Sequence, residues 1–296
     1  MLLTRLLAGS LLSATAFFGC SNAVTRPGSA LASAGASSSA GGSAGEVIIT
    51  GSGGSALGGS GPSLNVDPDA GTADPNANSG CTHLNIGILG NPGARASSNF
   101  QQWLEKSGTS TQRILTTDTE ALTSATLHPF DVVILDWLPR DYTAHEAAVF
   151  SLWLSAGGGM ASMTGYSGNT VADWHANSLL APLQVAYGGP LLSGPVTSFA
   201  LHPVTLGLSS VTFQGGYAVT DLGGSASTRT PLAFLPDGNA IAGFAVQLGK
   251  GRGIVWGDEW IEFDSEWSTL PEITQLWVQL FAWNAPKNKC ELTPPK

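Results

Sequence analysis

A chain of 296 residues with 12 Lys plus Arg against 21 Asp plus Glu has a formal charge of −9. It therefore lacks the basic surface that phosphate neutralisation needs, which disfavours a nucleic-acid partner, and none is expected. All nine Trp follow Cys81, so the aromatic content belongs to a C-terminal folded part of about 215 residues, enough for one well-buried α/β domain.

Residues 1–19 read as a secretory signal. One early cation, Arg5, precedes an apolar stretch through Phe18 that is too short for a stable membrane-spanning helix. The ending "FFGC" (Phe17 to Cys20) resembles the lipobox of bacterial lipoproteins. That resemblance implies lipidation at Cys20, a membrane contact through that lipid, and an exported location in the cell envelope, on the outer membrane or facing the periplasm. Ordinary cleavage nearby is the alternative. Residues 20–80 form the expected anchor and linker, and from Pro27 to Gly80 the sequence is mainly Gly, Ser and Ala with a few Asp, with no Lys or Arg between Arg26 and Arg95. Such a composition buries too little apolar surface to offset ordering entropy and is expected to be disordered. As a flexible coil it spans roughly 40 Å.

The folded domain is expected over residues 81–290, with 291–296 a tail. Cys81 and Cys290 bracket it, and in an oxidising compartment they suggest a disulfide joining its ends. Closing so long a loop stabilises by on the order of 5 kcal/mol in the chain-entropy picture.

The element pattern begins with "LNIGILG" (Leu84 to Gly90), a strand ending in Gly, then the loop "NPGARASSN" and a helix at "FQQWLEK". "TQRILTT" and "FDVVILDW" (Phe130 to Trp137) are further strands, the latter a continuous apolar run typical of burial on both faces. Thr143 with Glu146 three residues on marks a helix start, and the helix stops at a Gly run. "GMASMTG" (Gly159 to Gly165) is the next strand. This alternation predicts a parallel sheet with right-handed crossovers. The second half has strand-like runs at "LQVAYGG", "VTSFALHP", "VTFQGGYAV", "PLAFLP" and "AIAGFAVQLG", with "DGN" as a hairpin signal. "RGIVW" and an amphipathic helix opening at Pro271 close the domain. The expected fold is α/β: three layers, a parallel core sheet and an antiparallel extension.

In an open α/β sheet the ligand crevice lies beyond the carboxyl ends of the strands. Four turns should therefore converge there: "NPGARASSN", "DWLPRDY", "GYSGN" and "GDEWIEFDSEW" (Gly257 to Trp267). The last packs Asp258, Glu259, Glu262, Asp264 and Glu266 among Trp260, Phe263 and Trp267 without a cation. Trp260 or Trp267 offers an apolar platform, while carboxylates such as Asp258 and Glu259 accept hydrogen bonds from hydroxyls, a chemistry suited to a sugar or another small polar ligand. Equally, the Trp residues can be packing and the acids a solvated face. The acids do not follow the calcium-loop spacing, so no metal or other cofactor is expected, and Ca²⁺ is kept only as the weaker alternative for this segment. Paired carboxylates working on a glycoside would need a separation that spacing alone does not supply. Asn91, Arg95 and Ser97, after the first strand, are candidates for holding an anion or a carboxylate. Tyr166 joins the binding candidates on the "GYSGN" turn. Arg140, between Asp136 and Asp141, reads as an internal salt bridge.

The βαβα start, the "TGYSGN" turn, "HPVTLGL" (His202 to Leu208) and "GRGIVWGDEW" before a closing helix resemble the class I glutamine amidotransferase-like fold. Within it, the match is to the trehalose-utilization-type branch, whose members carry a similar His-Pro segment. The resemblance covers about Leu84 to Asn284 and implies a flavodoxin-like or amidotransferase-like architecture. Enzymes of that superfamily place a nucleophilic Cys at the sharp turn, served by a His and a Glu near the last strand. Here Ser167 stands at the turn and Gly257-Asp258-Glu259 follows the last strand, so the Cys-His-Glu set is missing and glutamine hydrolysis is not expected. The leading expectation is a binding or scaffold module, with carbohydrate as one ligand class. The alternative is a hydrolase using Ser167 with His202 and Asp258 or Glu259, which requires an imidazole within reach of the hydroxyl. His175 is a further candidate base.

Overall fold

The computed structural model describes His83 to Gly93, Asn99 to Pro236, Gly238 to Pro286, and Lys289. The expected leader and linker (1–80), Cys20, the Cys81 and Cys290 pair, Arg95 and Ser97 lie outside those residues. In chain order the elements are β1 (Asn85–Leu89), α1 (Asn99–Lys106), β2 (Ser110–Ile114), α2 (Ser124–Leu127), β3 (Val132–Leu135), α3 (Ala144–Ser155) and β4 (Gly159–Ser162). There follow α4 (Thr170–Asp173), α5 (Asn177–Leu180), β5 (Val185–Ser193), β6 (Ser198–Phe199), β7 (Gln214–Asp221), β8 (Thr228–Phe234), β9 (Ile241–Leu248), β10 (Gly251–Trp256), α6 (Asp264–Trp267) and α7 (Pro271–Asn284).

Eight strands form one sheet in the order β2-β1-β3-β4-β10-β9-β8-β6. The first five run parallel, and β9, β8 and β6 continue the sheet antiparallel. The order 2-1-3-4 with a fifth parallel strand is the flavodoxin-like arrangement, whose topological switch point lies between β1 and β3. β5 and β7 form a separate antiparallel pair, which the strand pattern alone did not separate from the extension. The outer strands of the large sheet are β2, polar and partly exposed, and β6, two residues long.

Alternation along the central strands builds a core on each face of the sheet. Ile86, Ile88, Val132, Ile134, Ile254 and Trp256 pack with α1 and α7 through Phe100, Leu104, Leu276, Trp277 and Phe281. Val133, Leu135, Met160 and Val255 turn the other way, onto Phe150 and Leu154 of α3 and Leu179 and Leu180 of α5. β3 reads as an uninterrupted apolar run because all four of its residues are buried between these layers. The capping box at Thr143 forms as expected: the Glu146 N–H donates to Thr143 Oγ1 at 3.3 Å and the Thr143 N–H to Glu146 Oε2 at 2.9 Å. Arg140 pairs with this same Glu146 at 2.6 Å. It is not held between Asp136 and Asp141, as the "DWLPRD" spacing suggested; it gives the Asp141 main-chain carbonyl one hydrogen bond, and the Asp141 carboxylate goes to His175.

α7 does more than close the sheet. Its Trp277 is fully buried and its indole N–H donates to the Ile261 carbonyl at 2.8 Å, which pins the acidic segment from below. Trp277→Phe keeps most of the apolar contact but leaves that carbonyl without its donor, a cost of about 1–3 kcal/mol. The loss should appear as a lower midpoint in urea unfolding with the far-UV spectrum retained. An unchanged midpoint would show that this bond does not anchor the segment.

Candidate functional site

The loops leaving β1, β3, β4 and β10 meet at the carboxyl ends of the parallel strands, and Glu259 is where they meet. Its side chain is 4% exposed. A β-carbon on Gly93, after β1, would fall within 3.0 Å of Glu259 Oε2 and Glu262 Oε1, and one on Gly165, after β4, would fall within 3.0 Å of Glu259 Oε1. Both positions need glycine because the carboxylate fills the room a side chain would take. From β3, the Trp137 indole N–H donates to Glu259 Oε2.

Two further acids crowd the same spot. Asp136 is the first residue past β3, and its Oδ2 accepts from Arg113 of β2 at 2.7 Å. Glu262 closes the 3-10 turn Glu259–Glu262 and is 2% exposed. One oxygen from each of Asp136, Glu259 and Glu262 lies within 4.8 Å of the others. Among the described residues Asp136 Oδ1 and Glu262 Oε1 are buried without a donor when both acids are ionised, and the two side chains are close enough to share a proton. Burial pushes Asp136 up to about 6 despite the opposing pull of Arg113. Burial first, then the charges of Asp136 and Glu259, push Glu262 well above the ordinary carboxylate range.

Asp258 is fully buried. Its Oδ1 accepts the Trp260 N–H at 3.2 Å, capping the 3-10 turn, and its Oδ2 accepts the Gln214 N–H from β7. This carboxyl joins the two sheets and does not face solvent. Desolvation pushes it up to about 8, against the stabilising pull of those two N–H groups. Asp258 and Glu259 were expected to offer acceptors to a ligand, but the structure turns both inward. Trp260 is half-buried against Phe263, ring centroids 4.7 Å apart. Asn91 is exposed, its main chain bridged to Trp137. Tyr166 is 53% exposed.

Ser167 sits on the same rim, but its Oγ donates to Asp173 Oδ1 at 2.5 Å, and the same carboxylate accepts the Ser167 N–H at 2.9 Å and the Tyr217 hydroxyl at 2.6 Å. His202 is elsewhere. Its Nδ1 accepts the Val204 N–H at 3.2 Å, capping the Pro203–Thr205 turn, and its ring meets Trp283 near the end of α7. Burial, then the charge of Arg252 near the start of β10, lower its pKa, so it lies toward the opposite end of the strands. His175 is taken by Asp141 at 2.8 Å. The structure therefore does not join Ser167 to His202, nor does it place Asp258 or Glu259 behind that imidazole, so the arrangement a serine hydrolase needs is not formed.

Beside the buried acids, a groove of about 630 Å³ runs between α1 and the α6–α7 segment, lined by Asn99, Gln102, Trp103, Lys106, Asp264 and Trp267, among others. Trp267 is partly exposed and packs on Trp103 with ring centroids 5.4 Å apart. The Asn99 amide donates to Asp264 at the groove. Sequence reasoning named Trp267 but missed the α1 side. The signal was present in "NFQQWLEK", where Asn99, Gln102, Trp103 and Lys106 recur at helical spacing on one face.

No protein-family model matches the chain, and no curated protein does. Among solved structures, the mmIFT52 N-terminal domain superposes with a TM-score of 0.53 at 14% identity, covering 70% of this chain and 99% of that one. The cytoplasmic protein STM3548 from Salmonella typhimurium gives 0.52 at 14% identity, covering 68% and 99%. A ThuA-like protein from Bacteroides uniformis gives 0.44 at 14% identity, covering 72% and 98%. At these identities the first two establish a shared fold. They leave activity to the residues of the site.

The buried acids fix a pH dependence. The unfolded carboxyl of Asp258 ionises near pH 4 and the folded one near pH 8, so between those values the native state holds the extra proton. Its stabilising effect is complete below pH 4 and is lost as pH rises to 8. Asp136, raised to about 6, adds in the same direction. Asp258→Asn should flatten the pH 4–8 fall in unfolding midpoint measured by chemical denaturation. A variant with the wild-type slope would show that Asp258 does not carry it.

Proposed function

We propose that the domain is a ligand-binding module, with a carbohydrate as its ligand and the groove between α1 and α6 as the place of contact. The single observation that carries this is the make-up of that groove. An indole is partly open to solvent at Trp267, and amide, ammonium, carboxylate and hydroxyl groups from Asn99, Gln102, Lys106, Asp264 and Ser268 line the same space. The C–H face of a pyranose packs on such a ring while its hydroxyls exchange hydrogen bonds with the surrounding polar groups. The bonding of Ser167 to Asp173, with no imidazole among its partners, supports binding over hydrolysis. Lipid attachment at Cys20 and a long Gly, Ser and Ala linker would let the module sample ligands at a distance from the envelope surface.

The test is titration of the full chain with a panel of neutral mono- and oligosaccharides, followed by tryptophan fluorescence and calorimetry. At least one sugar should bind saturably. Gln102→Ala and Lys106→Ala should each weaken it several-fold, Trp267→Ala at least tenfold, and Ser167→Ala not at all. Absence of saturable binding across the panel, or affinity untouched by all three groove variants, would overturn the proposal.

A further inference from the structure

The buried acids at the switch point are separate from the groove and have their own unsolved chemistry. Asp136 Oδ1 and Glu262 Oε1 are acceptor-only when ionised, both belong to residues more than nine-tenths buried, and neither of these two oxygens has a hydrogen-bond partner among the described residues, although the Gly93 main chain bears on the Glu262 carboxyl and the two acids are close enough to share a proton. Arg113 reaches only the other oxygen of Asp136. A buried carboxylate oxygen left this way is costly unless a proton or a cation satisfies it. Glu262 Oε1 is also aimed inward: it and Glu259 Oε2 both approach the space a Gly93 β-carbon would occupy.

We propose that Asp136, Glu259 and Glu262 form a binding site for a hard divalent cation of the size of Ca²⁺. The donor set is all carboxylate oxygen, which selects Ca²⁺, Mg²⁺ or Mn²⁺ over the softer metals that favour Cys and His. Oxygens on opposite sides of a Ca²⁺ ion are about 4.8 Å apart, given ligand distances near 2.4 Å. The three carboxylates meet within that limit. Mg²⁺ dehydrates reluctantly and seldom takes an all-protein carboxylate cage, which favours Ca²⁺ here. The ligands leave the carboxyl ends of β3 and β10, next to the β1–β3 switch point where flavodoxin-like sheets open their crevice. Glu259 and Glu262 are held at one spacing by their shared 3-10 turn, which Trp277 fixes through Ile261. A cation here would tie the β3 exit to the β10 exit. No spacing rule finds it, because Asp136 is far from the other two in the chain.

Terbium luminescence is a direct test, because the Trp137 indole is hydrogen-bonded to Glu259 and would sensitise an ion held by that carboxylate. In the full chain stripped with chelator, Tb³⁺ emission should saturate and be displaced by Ca²⁺. Ca²⁺ at a hundred times its Kd should raise the Tm by about 5–10 °C, and Mg²⁺ should do less. Glu262→Gln supplies an amide donor to its surroundings and should remain folded by circular dichroism, yet bind Ca²⁺ at least tenfold more weakly. Glu266→Gln, outside the cluster, should bind as wild type. Should Glu262→Gln fail to fold, Trp137→Phe gives the second readout, dimming the terbium emission while calorimetric Ca²⁺ binding persists. No saturable emission or Ca²⁺-dependent Tm in the wild-type chain, equal Ca²⁺ affinity in folded Glu262→Gln, or undimmed emission in Trp137→Phe would each overturn the proposal and leave a shared proton as what satisfies the pair.

Discussion

The rim of this domain depends on placing one carboxylate, that of Glu259, inside the protein. Its oxygens fill the space left by Gly93 and Gly165 and take the indole proton of Trp137. Loops from β1, β3, β4 and β10 are thereby held against a single polar group. A buried carboxylate is costly unless its acceptors are met, so the neighbours cannot drift away without exposing that cost. Glycine at two loop positions and an indole at a third are therefore requirements of the same packing, not independent choices.

Around that group the acids of the Gly257 to Trp267 segment divide by direction. Asp258, Glu259 and Glu262 face inward, and Asp264 and Glu266 face the surface or the groove. The 3-10 turn makes this division, since its tight winding puts Glu259 and Glu262 on one side. One stretch of eleven residues thus supplies both the interior of the rim and one wall of the surface groove, with Trp267 bridging them through its N–H to the Glu262 carbonyl at 3.1 Å.

Much of the architecture was legible because each helix and strand carried a local signal. The β3 run, the Thr143 and Glu146 capping box and Pro271 opening the last helix are consequences of burial and backbone chemistry within a few residues. Convergence of the four turns on one rim followed from the parallel direction of their strands. Orientation was not legible. Nothing local distinguishes an Asp that caps a turn, as Asp258 does, from one that faces a ligand. Nothing in "DWLPRD" shows that Asp136 reaches Arg113 on β2 while Arg140 turns to Glu146. His202 and Ser167 illustrate the same limit, because an inventory of residue types carries no distance between them.

The edges of the large sheet have a consequence of their own. One border is a polar, partly exposed strand, and the other is only two residues long before the chain departs. Unpaired backbone groups on a long, flat, apolar border invite another chain to add itself as the next strand, and neither border offers such a template. The outermost strands of the large sheet thus give another copy of the domain little on which to add itself strand to strand.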